Sequence, residues 1–567
     1  MKFRWNLDPA QPLLTERLSK ELNITPLLAQ CLVNRGHSEP EAIDPFLNPR
    51  LKNLADPFLL PNMQAAVDRL RAAREKKETI VIFGDYDVDG VTSTTLLLDV
   101  FNQLGFQAKP YLPHRFDEGY GLSREAVENC IEKYRPDLLL AVDCGSTAVE
   151  SIAWLKEQGI ETIVLDHHQV SDPAPRAIAL VNPQLGDRFQ ELCSAGLAFK
   201  LAHALVKCGR ELNEEDAAAC DVRELLDVVA LGTVADLVPL RNENRILTST
   251  GLPRVSGTQR LGLKSLKDVA QINGPIGVYE VGFQLGPRLN AAGRLEHAME
   301  ALDLMTATDP AKARSIAHNL DARNRERQEI EQSIVDQVIS DLKNRFDPAT
   351  DFAIVEGQPM WHIGVVGIVA SRVLREFYRP TFILGGEGGE WRGSGRSIEG
   401  FDLAAALREC DDLLLRHGGH AMAAGLSIDP EKVDAFRERL NKIARQQLRP
   451  DDLLPPLRLD AEVELHEIGF EATRALSRLE PFGQGNPSVQ VVVKDVWMHA
   501  PPRLIGKSKQ HRILKLTSGK ERVDAIWWNS AEKSLPEGRV DLACSPEINE
   551  YNGEYSVRLK VLDWRKS

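Results

Sequence analysis

Asp85 and Asp87 in GDYDVDG, Asp143 in AVDCG, His167 and His168 in LDHH and Asp236 in GTVADLVPL place acid and imidazole side chains in a fixed order along the chain. Hard carboxylate oxygens combined with imidazoles suit a pair of divalent cations such as Mg2+ or Mn2+. Two such ions about 3.5–4 Å apart are a standard device for cutting phosphate esters. The motifs therefore predict a metal-dependent phosphoesterase. Taken singly they are weak. GDYDVDG also reads as a turn, although not as a calcium loop, because a helical pattern follows it with no Glu at the twelfth position. LDHH is short enough to arise by chance, and Asp236 alone reads as a solvated helix C-terminus. The weight lies in the ordered set.

The elements around these residues explain how they would meet. From Thr79 the chain alternates strand-like apolar runs (TIVIF, DLLLAVD, ETIVLD, IALVNP) with helical patterns, which predicts parallel strands joined by crossover helices. Asp85/Asp87, Asp143 and His167/His168 each fall just past the carboxyl end of such a strand, where open α/β sheets bind their ligands. Asp236 ends an apolar helix, DVRELLDVVALGTVADL. Asp309 as N-cap and Pro310 at the first helical position open a pattern without Gly or Pro to residue 342. That helix would span roughly 50 Å. Its charged centre predicts a solvated bridge between domains, and its apolar positions do not keep the heptad spacing of a coiled coil. A second α/β unit follows, then the linker RPDDLLPP, then β-prone runs with an Asn552-Gly553 turn that suggest a small barrel. The expected organisation is an N-terminal extension with small helices (1–60), a parallel-sheet α/β domain (61–305), the connecting helix (306–345), a smaller α/β domain (346–450) and a β-barrel (456–567).

Length and composition agree with a multidomain globular protein: 567 residues, 43% hydrophobic and 27% charged. No apolar run is long enough to span a bilayer, and the first residues lack a secretory pattern. Eight scattered cysteines without a C-x-x-C pair fit free thiols in a reducing cytoplasm. The net charge of −13 argues against loose wrapping of duplex DNA but permits a basic channel.

GDYDVDG, VDCG, LDHH and GTVADLVP resemble the four motifs of the DHH phosphoesterase superfamily. RGSGRS and HGGHAMAAG resemble its DHHA1 companion domain, and PRLNAAGRL and PFGQGNP are similar to further motifs of its single-strand-specific exonucleases. The likeness runs from about residue 60 to nearly the end. It implies that Asp85, Asp87, Asp143, His167 and Asp236 are metal ligands, with Asp143 as the bridge, for two Mn2+ or Mg2+ ions. It implies further that Asp166 orients a neighbouring imidazole and that His168 acts on the scissile phosphate; a third imidazole ligand is the alternative for His168. Phosphate grip would come from Arg392, Ser394, Arg396, Gly419 and His420, with Arg115, Asn290 and Arg294 from the first domain. A plain hairpin is the alternative at the Gly-rich turns, and an ion pair with Glu296 is the alternative for Arg294. The barrel would be an OB-fold, with Arg503, Lys507, Lys509, Arg512 and Lys515 near Trp497, Trp527 and Trp528, which serve either as stacking surfaces or as core.

The function so implied is removal of nucleotides from the 5′ end of single-stranded DNA by in-line attack of metal-activated water, in recombination and repair. Single-strand-binding protein and a helicase would be partners of a cytoplasmic monomer with no membrane contact. A phosphoesterase for short oligonucleotides or small nucleotide phosphates is the alternative enzyme. A non-catalytic scaffold is the alternative without chemistry, and it conflicts with the full ligand set.

Overall fold

The computed structural model describes residues 3–567 apart from Arg115, Phe116, Tyr120, Glu296, Glu387 and Asn552. Strand β1 (Arg4–Leu7) comes first, followed by short helices at Pro12–Leu22, Pro26–Asn34 and Pro40–Leu47. The first sheet contains β2 (Ile80–Gly84), β3 (Ala108–Tyr111), β4 (Leu138–Val142), β5 (Glu161–Leu165) and β6 (Ala179–Val181). Its order is β3-β2-β4-β5-β6, and every pairing is parallel. β2 and β4 are buried at every residue, because helices cover both faces of the sheet. Ile80, Ile82, Leu138, Leu140 and Val142 join one core with the helices Met63–Lys76, Val88–Gln103 and Ser194–Glu211. Val81, Phe83, Leu139 and Ala141 point the other way, against Arg124–Tyr134 and Val149–Glu157. The strand period of two thus feeds two cores at once. Edge strand β3 (AKPY) has Pro and Lys where apolar residues would mark it, a composition that only an edge tolerates.

The second sheet contains β7 (Ile354–Pro359), β8 (Thr381–Gly386), β9 (Trp391–Arg396), β10 (Leu414–Gly419) and β11 (Ala423–Ile428). Its order is β10-β11-β9-β8-β7, with β7 and β8 parallel and the remaining pairs antiparallel. The C-terminal part adds β12 (Pro456–Leu459), β13 (Ala461–Val463), β14 (Val491–Ile505), β15 (His511–Ser518), β16 (Glu521–Trp527), β17 (Val540–Tyr551) and β18 (Glu554–Lys566). The order β14-β15-β16-β18-β17 returns to β14 through the β14–β17 pairing, which closes a five-stranded barrel, with β13 alongside β14.

The connecting helix runs from Pro310 to Arg345, and the Asp309 side chain accepts the N–H groups of Ala311 and Lys312. Its charged centre is solvated on one face only, where Arg325, Glu326, Gln328 and Glu329 are exposed; the other face departs from expectation. Asp321, Asn324, Arg327 and Glu331 are buried. Glu331 takes Arg327 of its own helix at 2.8 Å and Arg372 of the helix Val366–Phe377 at 2.5 Å. The charges are paired side chains at a helix–helix junction, which sequence periodicity cannot distinguish from a wet face.

The first sixty residues divide between two bodies. Leu18, Leu28, Leu32, Ile43 and Phe46 share a core with the barrel residues Val491, Leu514, Leu542 and Val561. β1 pairs in parallel with β12. Leu51, Leu54, Phe58 and Leu60 pack instead against the core of the first sheet.

Candidate metal centre and substrate cleft

Three of the four motifs follow the carboxyl ends of β2, β4 and β5, and the fourth ends a helix. β2 ends at Gly84; Asp85 and Asp87 occupy the turn, and Asp87 Oδ1 accepts the N–H groups of Asp89 and Gly90 at 2.9 and 3.1 Å as N-cap of Val88–Gln103. A Cβ at Gly90 would lie 2.3 Å from the Asp85 carbonyl oxygen, so only glycine lets the turn close under the carboxylates. Past β4, Asp143 adopts φ of 63°, a left-handed conformation uncommon outside glycine. Such strain gathers where side-chain aim matters. Past β5 come Asp166, His167 and His168, and Asp236 caps the C-terminus of Leu226–Ala235.

Among the described residues, three sets of ligand atoms each lie within 4.8 Å of one another: Asp85, Asp87 and Asp143; Asp89, His167 and Asp236; and Asp143, His167 and His168. His167 Nε2 stands 3.5 Å from Asp143 Oδ1, 3.6 Å from Asp236 Oδ2 and 3.9 Å from Asp89 Oδ2. Asp143 thus sits between the groups. Asp89, the third carboxylate of the D-x-D-x-D run, is a site residue that the motif reading misses. The signal is present in the two-residue spacing, but Asp89 falls in the first turn of a helix and not on an extended stretch. Its oxygens accept the N–H groups of Ser194 and Ala195 at 2.7 and 2.8 Å, at the N-terminus of Ser194–Glu211. A carboxylate has lone pairs left after two such bonds. Ser194 Oγ donates to Asp143 Oδ1 at 2.9 Å, a second contact that sequence motifs do not mark.

The cluster fits divalent cations on its own chemistry. His167 Nε2 and Asp236 Oδ2 are buried without a hydrogen-bond partner, an arrangement that costs stability unless something fills it. Burial first, then the charges of Asp89 and Asp87, raises the Asp236 carboxyl to about 9. Burial, with Asp87 adding to it against the pull of His167, raises Asp89, and burial with Asp89, Asp87, Asp85 and Asp236 pushes Asp143 well above the usual carboxylate range. Burial lowers His167, which leaves its nitrogen neutral for a ligand role. Crowded carboxylates with uncharged imidazole beside them are what bound cations stabilise.

His168 differs. Its Nδ1 lies 2.8 Å from Asp166 Oδ1, and Asp166 is held in turn by the Ser146 N–H at 3.0 Å. Burial alone would lower the His168 pKa, but the Asp166 hydrogen bond and charge outweigh it and raise it. Burial would likewise raise Asp166; the hydrogen bond from His168 overrides it, and the carboxyl lies below its ordinary value. Cys144 next to Asp143 is buried in the opposite core and takes no part.

The companion domain brings its expected residues onto adjoining strands: Ser394 of β9 is level with Gly425 of β11, and Gly425 with Gly418 of β10. Arg396 Nη1 donates to Ser394 Oγ at 3.0 Å and to Gly395 O at 2.8 Å. Arg392 is exposed, 4.0 Å from Glu390. The His420 N–H is taken by Ala423 O at 2.8 Å, so a backbone nest at Gly418–His420 lacks that donor. Asn290 Oδ1 accepts the Val88 N–H at 3.1 Å and so braces the GDYDVDG turn. Arg294 reaches across to Gly364 O at 3.2 Å. A Cβ on Gly364 would come within 2.6 Å of Arg294 O, so the two domains touch closely here. Arg115, Glu296 and Asn552 lie outside the described residues. In the barrel, Trp527 is buried, Trp528 is 43% exposed against His511, and Arg539 lies 4.4 Å over Trp497. Lys515 is paired with Asp524 and Arg512 with two carbonyls.

Three family models match: the DHH family, N-terminal domain, over residues 79–233; the DHHA1 domain over 349–446; and the RecJ OB domain over 459–563. The chain is 38% identical to the single-stranded-DNA-specific exonuclease RecJ of Bacillus subtilis, across 99% of this chain and 71% of that protein. The crystal structure of RecJ from Thermus thermophilus in complex with Mn2+ superposes with a TM-score of 0.85 at 31% identity, over 100% of this chain and 80% of that one. Its complex with Mg2+ gives 0.79 at 29% identity, over 100% and 78%.

Proposed function

The chain belongs to the RecJ family of single-stranded-DNA-specific exonucleases, and on that premise we propose how its residues divide the reaction. It is a metal-dependent exonuclease of single-stranded DNA with Mn2+ or Mg2+ as cofactor. Asp85, Asp87 and Asp143 would hold one cation, and Asp89, His167 and Asp236, with Asp143 beside them, would hold the other. When bound, the ions lower the pKa of water and draw charge off the phosphate oxygens. Ser194 aims Asp143 by its hydrogen bond. Asp166 fixes Nδ1 of His168, so that Nε2 faces the scissile phosphate as a donor where charge develops. Arg392 and Arg396 take the DNA backbone with forked guanidinium contacts, assisted by Ser394, Gly419 and His420. Arg294 steadies the cleft between the domains, and Asn290 the metal loop.

The observation that carries this reading is the convergence of Asp85, Asp87, Asp89, Asp143, His167 and Asp236, from four distant segments, within metal-ligand reach. We extend it to 5′-to-3′ polarity, to a monomer in the cytoplasm, and to recombination and repair alongside single-strand-binding protein and a helicase. Among the described residues no helix is long and apolar enough to cross a membrane, and the eight cysteines are free thiols, as in a reducing compartment. The test is digestion of single- and double-stranded oligonucleotides labelled at one end with Mn2+. Mononucleotides released first from the 5′ end of the single strand are expected; release from the 3′ end, or equal digestion of duplex, overturns the reading.

A further inference from the structure

Asn182 lies fully buried one residue past β6, the three-residue edge strand that follows the His167–His168 turn. Leu165 and Val181 form the last rung between β5 and β6, and the Asp166 N–H reaches Val181 O at 3.2 Å. Asn182 therefore emerges beside the turn itself. Both ends of its amide are engaged: Oδ1 accepts the Gln184 N–H at 2.8 Å, while Nδ2 donates to Ser146 Oγ and to His168 O, each at 2.8 Å. Asn182, Ser146 and Asp166 are all buried, whereas the His168 side chain keeps 45% of its surface exposed. An open imidazole is held from behind by a closed polar network.

The bonds of that network have a direction. An amide nitrogen donates and does not accept, so the Ser146 hydroxyl accepts from Asn182 and has its own proton left for another partner. That partner is Asp166, which is held by the Ser146 side chain and by the Ser146 N–H, the latter at 3.0 Å from Oδ2. Asp166 Oδ1 in turn lies 2.8 Å from His168 Nδ1 and accepts the His168 N–H at 3.2 Å. Asn182 thus reaches His168 twice, directly at its carbonyl and through Ser146 and Asp166 at its ring. The Ser171 N–H donates to Ser146 O at 3.1 Å and closes the frame on the far side of the turn. Such a frame has a purpose where consecutive side chains face different tasks. The rings of His167 and His168 are 4.4 Å apart and inclined by 53°, one among the carboxylates and the other on Asp166. A partly exposed side chain left to its rotamers would spend much of its time misaimed, and small misplacements of a reacting group cost rate steeply.

We infer that Asn182 and Ser146 are positioning residues for His168, holding its backbone and its imidazole in the orientation that meets the scissile phosphate; this rests on the role given to His168 above. The route Asn182–Ser146–Asp166–His168 passes through no metal ligand, so the aim of the imidazole is set separately from the cation sites. In sequence, an Asn before Pro183 reads as the cap of a turn, and through Gln184 it is that as well. The fold adds the second task by laying β6 against β5.

Asn182→Asp keeps the size of the side chain and the acceptor for Gln184 while replacing the donor, and Ser146→Ala removes the hydroxyl alone. In the full chain loaded with Mn2+, each should lower kcat on a single strand roughly 10–100-fold, the range of residues that orient a neighbour. KM should stay unchanged, and calorimetric titration should still count the Mn2+ sites of the unaltered protein. The deciding measurement is a double-mutant cycle, with single-turnover cleavage timed at excess enzyme so that slow variants are read. Once His168→Ala is present, adding Asn182→Asp or Ser146→Ala should change the rate by no more than about twofold, the precision of such cycles. Full additive losses in that background would show that the two residues act on the fold or the cations, and would overturn the inference, as would a raised KM or a missing Mn2+ site. If Asn182→Asp does not fold, Ser146→Ala decides by the same criteria. If His168→Ala alone leaves the rate unchanged, it is the role of His168 that falls, and the inference falls with it.

Discussion

Asp89 is held on both oxygens by the N-terminus of Ser194–Glu211, and that grip ties a neighbouring helix to the metal cluster. Replacing it by Asn preserves shape while removing the charge that His167 and Asp236 share. Asn can accept only one of the two N–H groups, so Asp89→Asn should fold with a lowered urea midpoint, bind one Mn2+ where the unaltered protein binds two, and lose more than the roughly 10–100-fold typical of residues that only steer ligands. Calorimetric titration with Mn2+ gives the stoichiometry; two sites of unchanged affinity would remove Asp89 from the centre. Ser194→Ala deletes one hydrogen bond to Asp143 and should fall inside that 10–100-fold range in turnover. The motifs make Asp85, Asp87, Asp143, His167 and Asp236 legible because each terminates an apolar strand or helix. Ser194 is not legible, since a serine opening a helix is ordinary capping until the fold brings it under Asp143.

Between elements, buried charge does the joining. Arg245, on the helix Asn242–Ser256, donates to Phe46 O, Leu479 O and Arg478 O, with its guanidinium 4.0 Å from the Phe46 ring. Arg245→Met would strand buried carbonyls and should cost about 3 kcal/mol, read as a lower urea midpoint. His37 packs on the same ring at 4.3 Å, and burial, then the charges of Arg245 and Arg35, holds it below its ordinary value of 6.5. With the folded pKa below the unfolded one, the unfolded chain binds the extra proton. The contribution is thus complete above 6.5 and is lost as pH falls toward the folded value. His37→Gln should flatten that part of the slope of stability against pH; an unchanged slope would rule His37 out. Glu331 answers to two arginines, so Glu331→Ala should cost about 3–5 kcal/mol by leaving guanidinium charge buried. The buried strands are readable as unbroken apolar runs. Edge strand β3 and the buried charges of the long helix are not, because composition there records exposure and only the tertiary partner reverses it.

Over the whole molecule, the two chain ends build one body. The helices before residue 48 close the barrel core that begins some 410 residues later, and β1 zips onto β12. No local pattern carries a contact of that sequence separation, which is why the first sixty residues read as an extension. Residues 51–60 belong elsewhere: Ala55 donates to Glu243 and accepts from Lys200, holding the segment to the first sheet's domain. Truncation should therefore be asymmetric. A chain of residues 1–455 would expose Leu18, Leu28, Leu32 and Ile43, all fully buried in the intact protein, and should aggregate. A chain of residues 49–455 removes both halves of the shared core and should stay soluble, keep the metal cluster and still degrade single strands, with a raised KM from the missing barrel. Because the shorter chain is expected to behave better than the longer one, simple loss of mass cannot mimic the result. Equal solubility of the two by light scattering would mean that the N-terminal helices do not depend on the barrel for burial.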